Sequence, residues 1–269
     1  MSKRNSQQAK SAARERLRIE RERQAKKDRA RRQIVVAAAV VGVLAAAGGI
    51  GYWVVQANKP KEPTQWEKAA KAKVVTPANS SGKNGTTVTI GKSTGKNTVH
   101  LYEDPRCPGC AAMEQSIGEA VNKGMEDGDY KLTFTIGTFL DGNLKGEGSK
   151  NALSALGAAL NVSPEAFVEY KTALYSSKYH PSESTDDFAK DDYLIKVADT
   201  VDALKGNTKF QNAVKKGTFD PWAMKMSDSF NSAEGVDSTP TIKINDKVVE
   251  TPKTADAWKA ALKTAGVTK

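Results

Sequence analysis

The chain has 269 residues and a formal net charge of +10, but residues 1–33 carry 13 Lys/Arg against 4 Asp/Glu. The remaining residues, with 28 basic against 27 acidic side chains, are close to neutral, which argues against a basic nucleic-acid-binding body. Two cysteines exclude a disulfide-stapled scaffold and any four-cysteine zinc or iron–sulfur centre, and two histidines, His100 and His180, exclude an all-histidine metal site.

In chain order, residues 1–33 read as a basic cytoplasmic tail. Its run SAARERLRIERERQAKKDRARR mixes Arg with Glu at helical spacing. That composition fits a juxtamembrane helix on anionic lipid, an RNA-binding arm or a plain solvated topology determinant. Residues 34–55, IVVAAAVVGVLAAAGGIGYWVV, are uncharged throughout. About 20 apolar residues at about 1.5 Å each cross a hydrocarbon core of roughly 30 Å, so one transmembrane helix is expected. The alternative is a cleaved signal ending at the triplet Val55-Gln56-Ala57, but signal apolar runs are shorter and follow shorter leaders. Arg29, Arg31 and Arg32 precede the run and only Lys59 and Lys61 follow it closely, which places the N-terminus in the cytoplasm and residues 57–269 outside. Tyr52 and Trp53 suit the outer interface. A single-pass protein of the cell membrane is the expectation.

Residues 56–85 read as an extracytoplasmic linker interrupted by Pro60, Pro63 and Pro77, with Trp66 a candidate to dock on the domain that follows. Gly91-Lys92-Ser93-Thr94 looks like the end of a phosphate-binding loop. The required earlier glycine is Thr86, and a strand rather than a helix follows, so nucleotide binding is set aside. From residue 86 the pattern becomes globular. Strands are predicted at 86–90 and 97–102, and a helix follows the cysteines with Met113, Ile117, Ala120 and Val121 on one face, ending near Gly124. A third strand covers 130–139. Helices are then predicted at 152–160, from a Ser163-Pro164 start, at 191–204 and at 219–233. Strands at 241–245 and 247–250 flank an Asn245-Asp246 turn, and a last helix covers about 254–265. His100 reads as a strand-face residue and His180 as a solvated loop residue.

The sequence's sharpest feature is Cys107-Pro108-Gly109-Cys110, at a strand exit and helix start within a βαβ unit. Thiol–disulfide exchange needs an ionised sulfur, and a helix N-terminus supplies unpaired N–H groups that favour one. Cys107 is the candidate attacking thiol and Cys110 the candidate resolving thiol, with Pro108 stiffening the first turn. Two other readings stay open on spacing alone. The pair could hold copper with Met113 or His100 as third ligand, or form a structural disulfide, although so small a loop stabilises little.

The run Asp104-Pro-Arg-Cys-Pro-Gly-Cys110, followed at 233–245 by AEGVDSTPTIKIN, resembles the DsbA-like branch of the thioredoxin superfamily. The resemblance implies an α/β thioredoxin fold over residues 86–269, with a helical insertion at about 145–230. It implies that Pro240 is a cis-proline facing the cysteines and that the Thr239 backbone pairs with an extended client. It also implies a redox-active disulfide as the only prosthetic element, with no bound cofactor or metal. The implied partners are reduced secreted proteins and a membrane oxidase of the DsbB or VKOR type, with no nucleic acid. Pro108-Gly109 is neither the Pro-His of strong oxidants nor the Gly-Pro of thioredoxin, and Ser238 stands where the family has Gly. The expected activity is disulfide introduction. The alternatives are a tethered reductase, for apocytochrome or another client, and a non-enzymatic copper-handling module.

Overall fold

The structure is a computed structural model, and it describes residues 63–267 except 83–84 and 93–96, together with scattered positions between 18 and 32. The chain divides into two compact units, Met1–Glu62 and Pro63–Lys269. In the first, the described positions are helical and exposed, and Arg18 pairs with Glu22 at 3.3 Å. The expected membrane span at 34–55 lies outside the described residues. Among those described, no helix is long and apolar enough to cross a membrane.

The second unit begins earlier than the sequence pattern implied. Helix α1 (Gln65–Ala69) opens on a capping box in which the Thr64 side chain accepts from Glu67 N–H and the Glu67 carboxylate accepts from Thr64 N–H. Trp66 is 5% exposed, and Lys150 Nζ lies 5.5 Å from its ring centroid. Asn79 then donates to the Leu160 carbonyl at 2.8 Å, and Trp222 Nε1 donates to the Gly85 carbonyl at 2.6 Å. The described residues from 63 to 85 therefore form a strap packed on the domain, and the linker assignment ends at about residue 62. Proline frequency pointed to a linker; the single tryptophan was the opposing signal.

Five strands form one sheet in the order β1-β3-β2-β4-β5: β1 (Val88–Ile90), β2 (Thr98–Glu103), β3 (Lys131–Ile136), β4 (Thr241–Ile244) and β5 (Lys247–Val249). Strands β2 and β3 run parallel in the register Thr98↔Lys131 to Glu103↔Ile136, and every other pairing is antiparallel. Their parallel alignment requires a crossover, which α2 (Pro108–Asp127) provides. It ends at Gly128, whose φ of 86° suits glycine, and not at Gly124. Gly124 is there for contact: a Cβ would lie 2.5 Å from Tyr130 Oη, which donates to the Val121 carbonyl. The third strand covers 131–136 and not 130–139, with Tyr130 at its start packed on α2.

Between β3 and β4 the chain inserts helices α3 (Leu140–Leu144), α4 (Gly148–Val162), α5 (Pro164–Tyr175), α6 (Asp191–Ala198), α7 (Thr208–Lys215) and α8 (Asp220–Asn231). Helix α4 is buried on nearly every face and forms the centre of this layer. The Ser163 hydroxyl caps α5 by accepting from Ala166 N–H, as its Ser-Pro start predicts. The helix expected over 191–204 stops at Ala198 and gives way to turns. Helix α7 was not anticipated, although Asn207 caps it and Phe210 and Val214 share its buried face. Helix α9 (Ala255–Thr264) closes the fold, packing Trp258 edge-on to Tyr130.

Candidate functional site

Strand β2 ends at Glu103, and the chain turns through Asp104-Pro105-Arg106 into α2. Cys107 is the N-cap residue and Pro108 occupies the first helical position, where its missing N–H costs nothing. Cys107 is 7% exposed and Cys110 fully buried, and both are free thiols. Around them the exposed rim consists of Pro108, Gly109 and Ser238, with Thr239 and Pro240 partly exposed. The Thr239–Pro240 peptide is cis, and the Thr239 carbonyl accepts from Cys107 Sγ at 3.4 Å. The structure thus brings the sequence-predicted residues Cys107, Pro108, Gly109, Cys110, Thr239 and Pro240 to one place. A Cβ on Gly109 would lie 3.2 Å from Pro240 Cδ and 3.6 Å from Cys107 Sγ.

The two thiols differ in acidity. Cys107 is lowered to about 6, chiefly because the Cys110 thiol donates to its sulfur. Burial opposes this, while the Thr239 side chain and the N–H groups of Cys110 and Gly109 reinforce it. As a thiol Cys107 makes no capping bond; as a thiolate it is drawn by those same helix N–H groups. Burial drives Cys110 well above the ordinary thiol range, and the Cys107 and Glu103 charges add to the effect.

Beneath the pair lies a set of charges that sequence reasoning missed. Lys171, 1% exposed, reaches Glu114 Oε2 at 2.6 Å and Glu103 Oε1 at 3.4 Å. Glu103 Oε2 has no hydrogen-bond partner. Burial raises the Glu103 carboxyl to about 7; the Lys171 charge only partly opposes it. A signal existed. Glu103 follows Val99 and Leu101 on the inward side of β2, and Lys171 falls one turn after Phe167 on the buried face of α5. A charge on an apolar stripe marks a paired buried group.

The residues before Cys107 are held as firmly. The Asp104 carboxylate accepts from Arg106 N–H, Leu140 N–H and Ser149 Oγ, and burial lifts it to about 6. His180 corrects its solvated assignment. It is partly buried, donates from Nε2 to the Pro105 carbonyl at 3.1 Å, and stacks on Tyr175, which packs with both cysteines. The alternative copper donors do not join the pair. His100 Nε2 bonds Thr135 Oγ1 at 2.9 Å and its ring stacks on Tyr102, while Met113 belongs to the main core. Among the described residues no metal-binding cluster of His, Cys, Asp and Glu converges. Gly91 has a φ of 117°, and Ser93 and Thr94 lie outside the described residues.

Comparison with known proteins agrees with this geometry. A profile described as thioredoxin matches residues 83–264. The chain belongs to the thioredoxin family, as a DsbA-like thiol–disulfide oxidoreductase. It is similar to the disulfide bond formation protein D of Bacillus subtilis, with 27% identity over 162 residues, 60% of this chain and 68% of that one. Among solved structures it resembles the reduced disulfide bond oxidoreductase DsbG of Mycobacterium tuberculosis, with 26% identity and a TM-score of 0.58, covering 68% of this chain and 89% of that one. Reduced DsbA from the same organism matches with 25% identity and a TM-score of 0.57, covering 68% and 93%. As a thioredoxin-family member the chain carries its family's sheet plus the helical insertion, which here spans Leu140–Asn231.

Proposed function

We propose that the protein introduces disulfide bonds into secreted or surface proteins, through a Cys107–Cys110 disulfide on the outer side of the membrane. The observation that carries this reading is the unequal acidity of the two thiols. A thiolate favoured at Cys107 stabilises the reduced pair, and whatever stabilises the reduced pair makes the disulfide a stronger oxidant. A reductase also attacks with the Cys107 thiolate, but the same stabilisation of the reduced pair makes it a weaker electron donor.

In the proposed cycle a client thiolate attacks Cys107 Sγ of the disulfide. The Cys107–Cys110 bond breaks, its electrons pass to Cys110, and a client–Cys107 mixed disulfide forms. Cys110 is buried and holds a proton tightly, so its leaving sulfur needs an acid. Glu103, with its carboxyl near neutrality, is placed to supply that proton. A second client thiolate then attacks the client's own bridging sulfur. The client leaves with a disulfide and Cys107 leaves as a thiolate. Thr239 and Pro240 form the rim beside which the client chain lies. No cofactor enters these steps beyond the cysteine pair.

The uncharged run at 34–55 supports a single-pass anchor with the body outside the cytoplasm. A membrane oxidase of the DsbB or VKOR type is the proposed electron acceptor for the reduced pair. The test is direct. Oxidised protein mixed with a reduced, unfolded client should lose one disulfide for each one the client gains, counted as thiols by mass spectrometry. A client that stays reduced overturns the reading.

A further inference from the structure

We propose that the loop 176–190 is a clasp that positions Cys107 by holding the two residues before it, Pro105 and Arg106. The inference rests on the reading of Cys107 as the attacking thiol. One end of the clasp is His180, whose Nε2 donates to the Pro105 carbonyl at 3.1 Å. Its ring is stacked 5.9 Å from Tyr175 and meets Phe188 edge-on at the same distance. The other end is Asp186, whose Oδ1 lies 3.3 Å from Arg106 Nη1. The two residues ahead of the nucleophile, Pro105 through its backbone carbonyl and Arg106 through its side chain, are thus gripped from one loop of the helical insertion.

The grip at Arg106 is a built junction. The first N–H groups of α4 have no partners within the helix and attract anions. Here two aspartates fill them: Asp186 accepts from Glu147 and Gly148, and Asp141 accepts from Ser149 and Lys150. The Arg106 guanidinium bridges the two carboxylates, reaching Asp141 Oδ1 at 3.1 Å. At Gly148 a Cβ would come within 2.3 Å of Asp186 Oδ1, so glycine there admits the carboxylate. Arg106 is 3% exposed. Its charge is taken up by Asp141 and Asp186, and it is not among the groups that favour the Cys107 thiolate. Arg106 is therefore a positioning residue and acts through geometry. Sulfur hydrogen bonds weaken with small displacements. A shift of 105–106 draws Cys107 Sγ away from Cys110 and Thr239.

Two substitutions test this, both made in the full chain purified in detergent: R106K, which conserves the cation, and H180A, which removes one end of the clasp. Lysine keeps the cation, but its flexible stem and point-charge head do not reproduce the rigid placement of Arg106 Nη1 between Asp141 and Asp186. Burial keeps His180 below its ordinary pKa, so H180A removes a neutral ring above pH 6.5. The readout is Cys107 alkylation by iodoacetamide against pH, followed by mass spectrometry, with circular dichroism confirming the fold. The parent protein should inflect at about 6. Each variant should inflect roughly one pKa unit higher, making alkylation at the parent inflection roughly fivefold slower while the rate at high pH is unchanged. If R106K does not fold, H180A alone decides, since it alters a surface loop. Folded variants with the parent inflection overturn the clasp. A parent inflection near the ordinary thiol value overturns the assignment of Cys107 as nucleophile, whatever the variants show.

Discussion

Replacing Cys110 with alanine should turn a fleeting covalent intermediate into a stable product. The suitable client carries one cysteine, activated as a mixed disulfide with nitrothiobenzoate. Cys107 thiolate attacks the client sulfur, nitrothiobenzoate leaves, and a client–Cys107 disulfide forms. In the parent protein Cys110, one helical turn away, then attacks Cys107 and releases the client as a thiol. Such an intramolecular thiol acts at effective concentrations of about 10⁵ M or more, which no solution thiol approaches. Removing it should lengthen the life of the adduct by roughly a thousandfold or more. Non-reducing electrophoresis reads this as a band that survives in C110A and disappears with reductant. C107A should form no adduct, because Cys110 is fully buried and its thiol holds its proton. Adducts of equal lifetime in C110A and the parent protein would contradict the division of roles between the two thiols.

The largest effect on stability should come from Lys171. Its ammonium lies between two buried carboxylates, Glu103 and Glu114, and near the rings of Phe134 and Tyr175. Removing one member of a buried ion cluster leaves uncompensated charge, which costs about 3–5 kcal/mol. K171M should therefore lower stability by that amount at pH 8, measured by urea unfolding. The sign of the pH dependence follows from Glu103. Burial already raises its carboxyl from its ordinary value to about 7, despite Lys171. Without the cation it rises further. The folded state then binds more protons than the unfolded state above the ordinary carboxyl range, so stability falls as pH rises through that window. The deficit of K171M should accordingly be smaller at pH 5 than at pH 8. A uniform loss at both values would mean that lost packing, and not stranded carboxylates, dominates. Natural selection of so costly a cluster is explained if Glu103 serves as proton donor to Cys110.

The features that sequence made legible were those with a local physical signature. Pro108 after Cys107 and Ser163 before Pro164 mark helix starts by capping chemistry, and both helices begin there. Strands β4 and β5 follow from β-branched runs around an Asn245-Asp246 turn, whose residues take positive φ. What stayed hidden was set by contacts between distant segments. Gly124 reads as a helix stop and is instead a gap for Tyr130. His180 sits in a polar run that reads as solvated, yet the turn of the chain brings it to Pro105, 75 positions earlier. Nothing local marks Arg106 as buried, and only the approach of Asp141 and Asp186 makes it a buried bridge. The segment from residue 63 looked like a linker because helix α1 is too short to show a period, while Trp66 and hydrogen bonds from Asn79 and to Gly85 anchor it. Glu103 and Lys171 were readable in principle, since each breaks an apolar stripe. Pairing them required the fold.

The most direct test of the central claim is the reduction potential of the Cys107–Cys110 pair, measured by equilibration with glutathione buffers across pH 5 to 8. A potential between about −120 and −180 mV at neutral pH is the expected result for an oxidant of secreted chains. Because Cys107 ionises at about 6, the reduced pair should bind two protons below that value and one above it. The slope of potential against pH should then change from about 59 to about 30 mV per unit near the same point. A value of about −250 mV or lower, with no break in slope, would contradict the account and leave a reductase in its place.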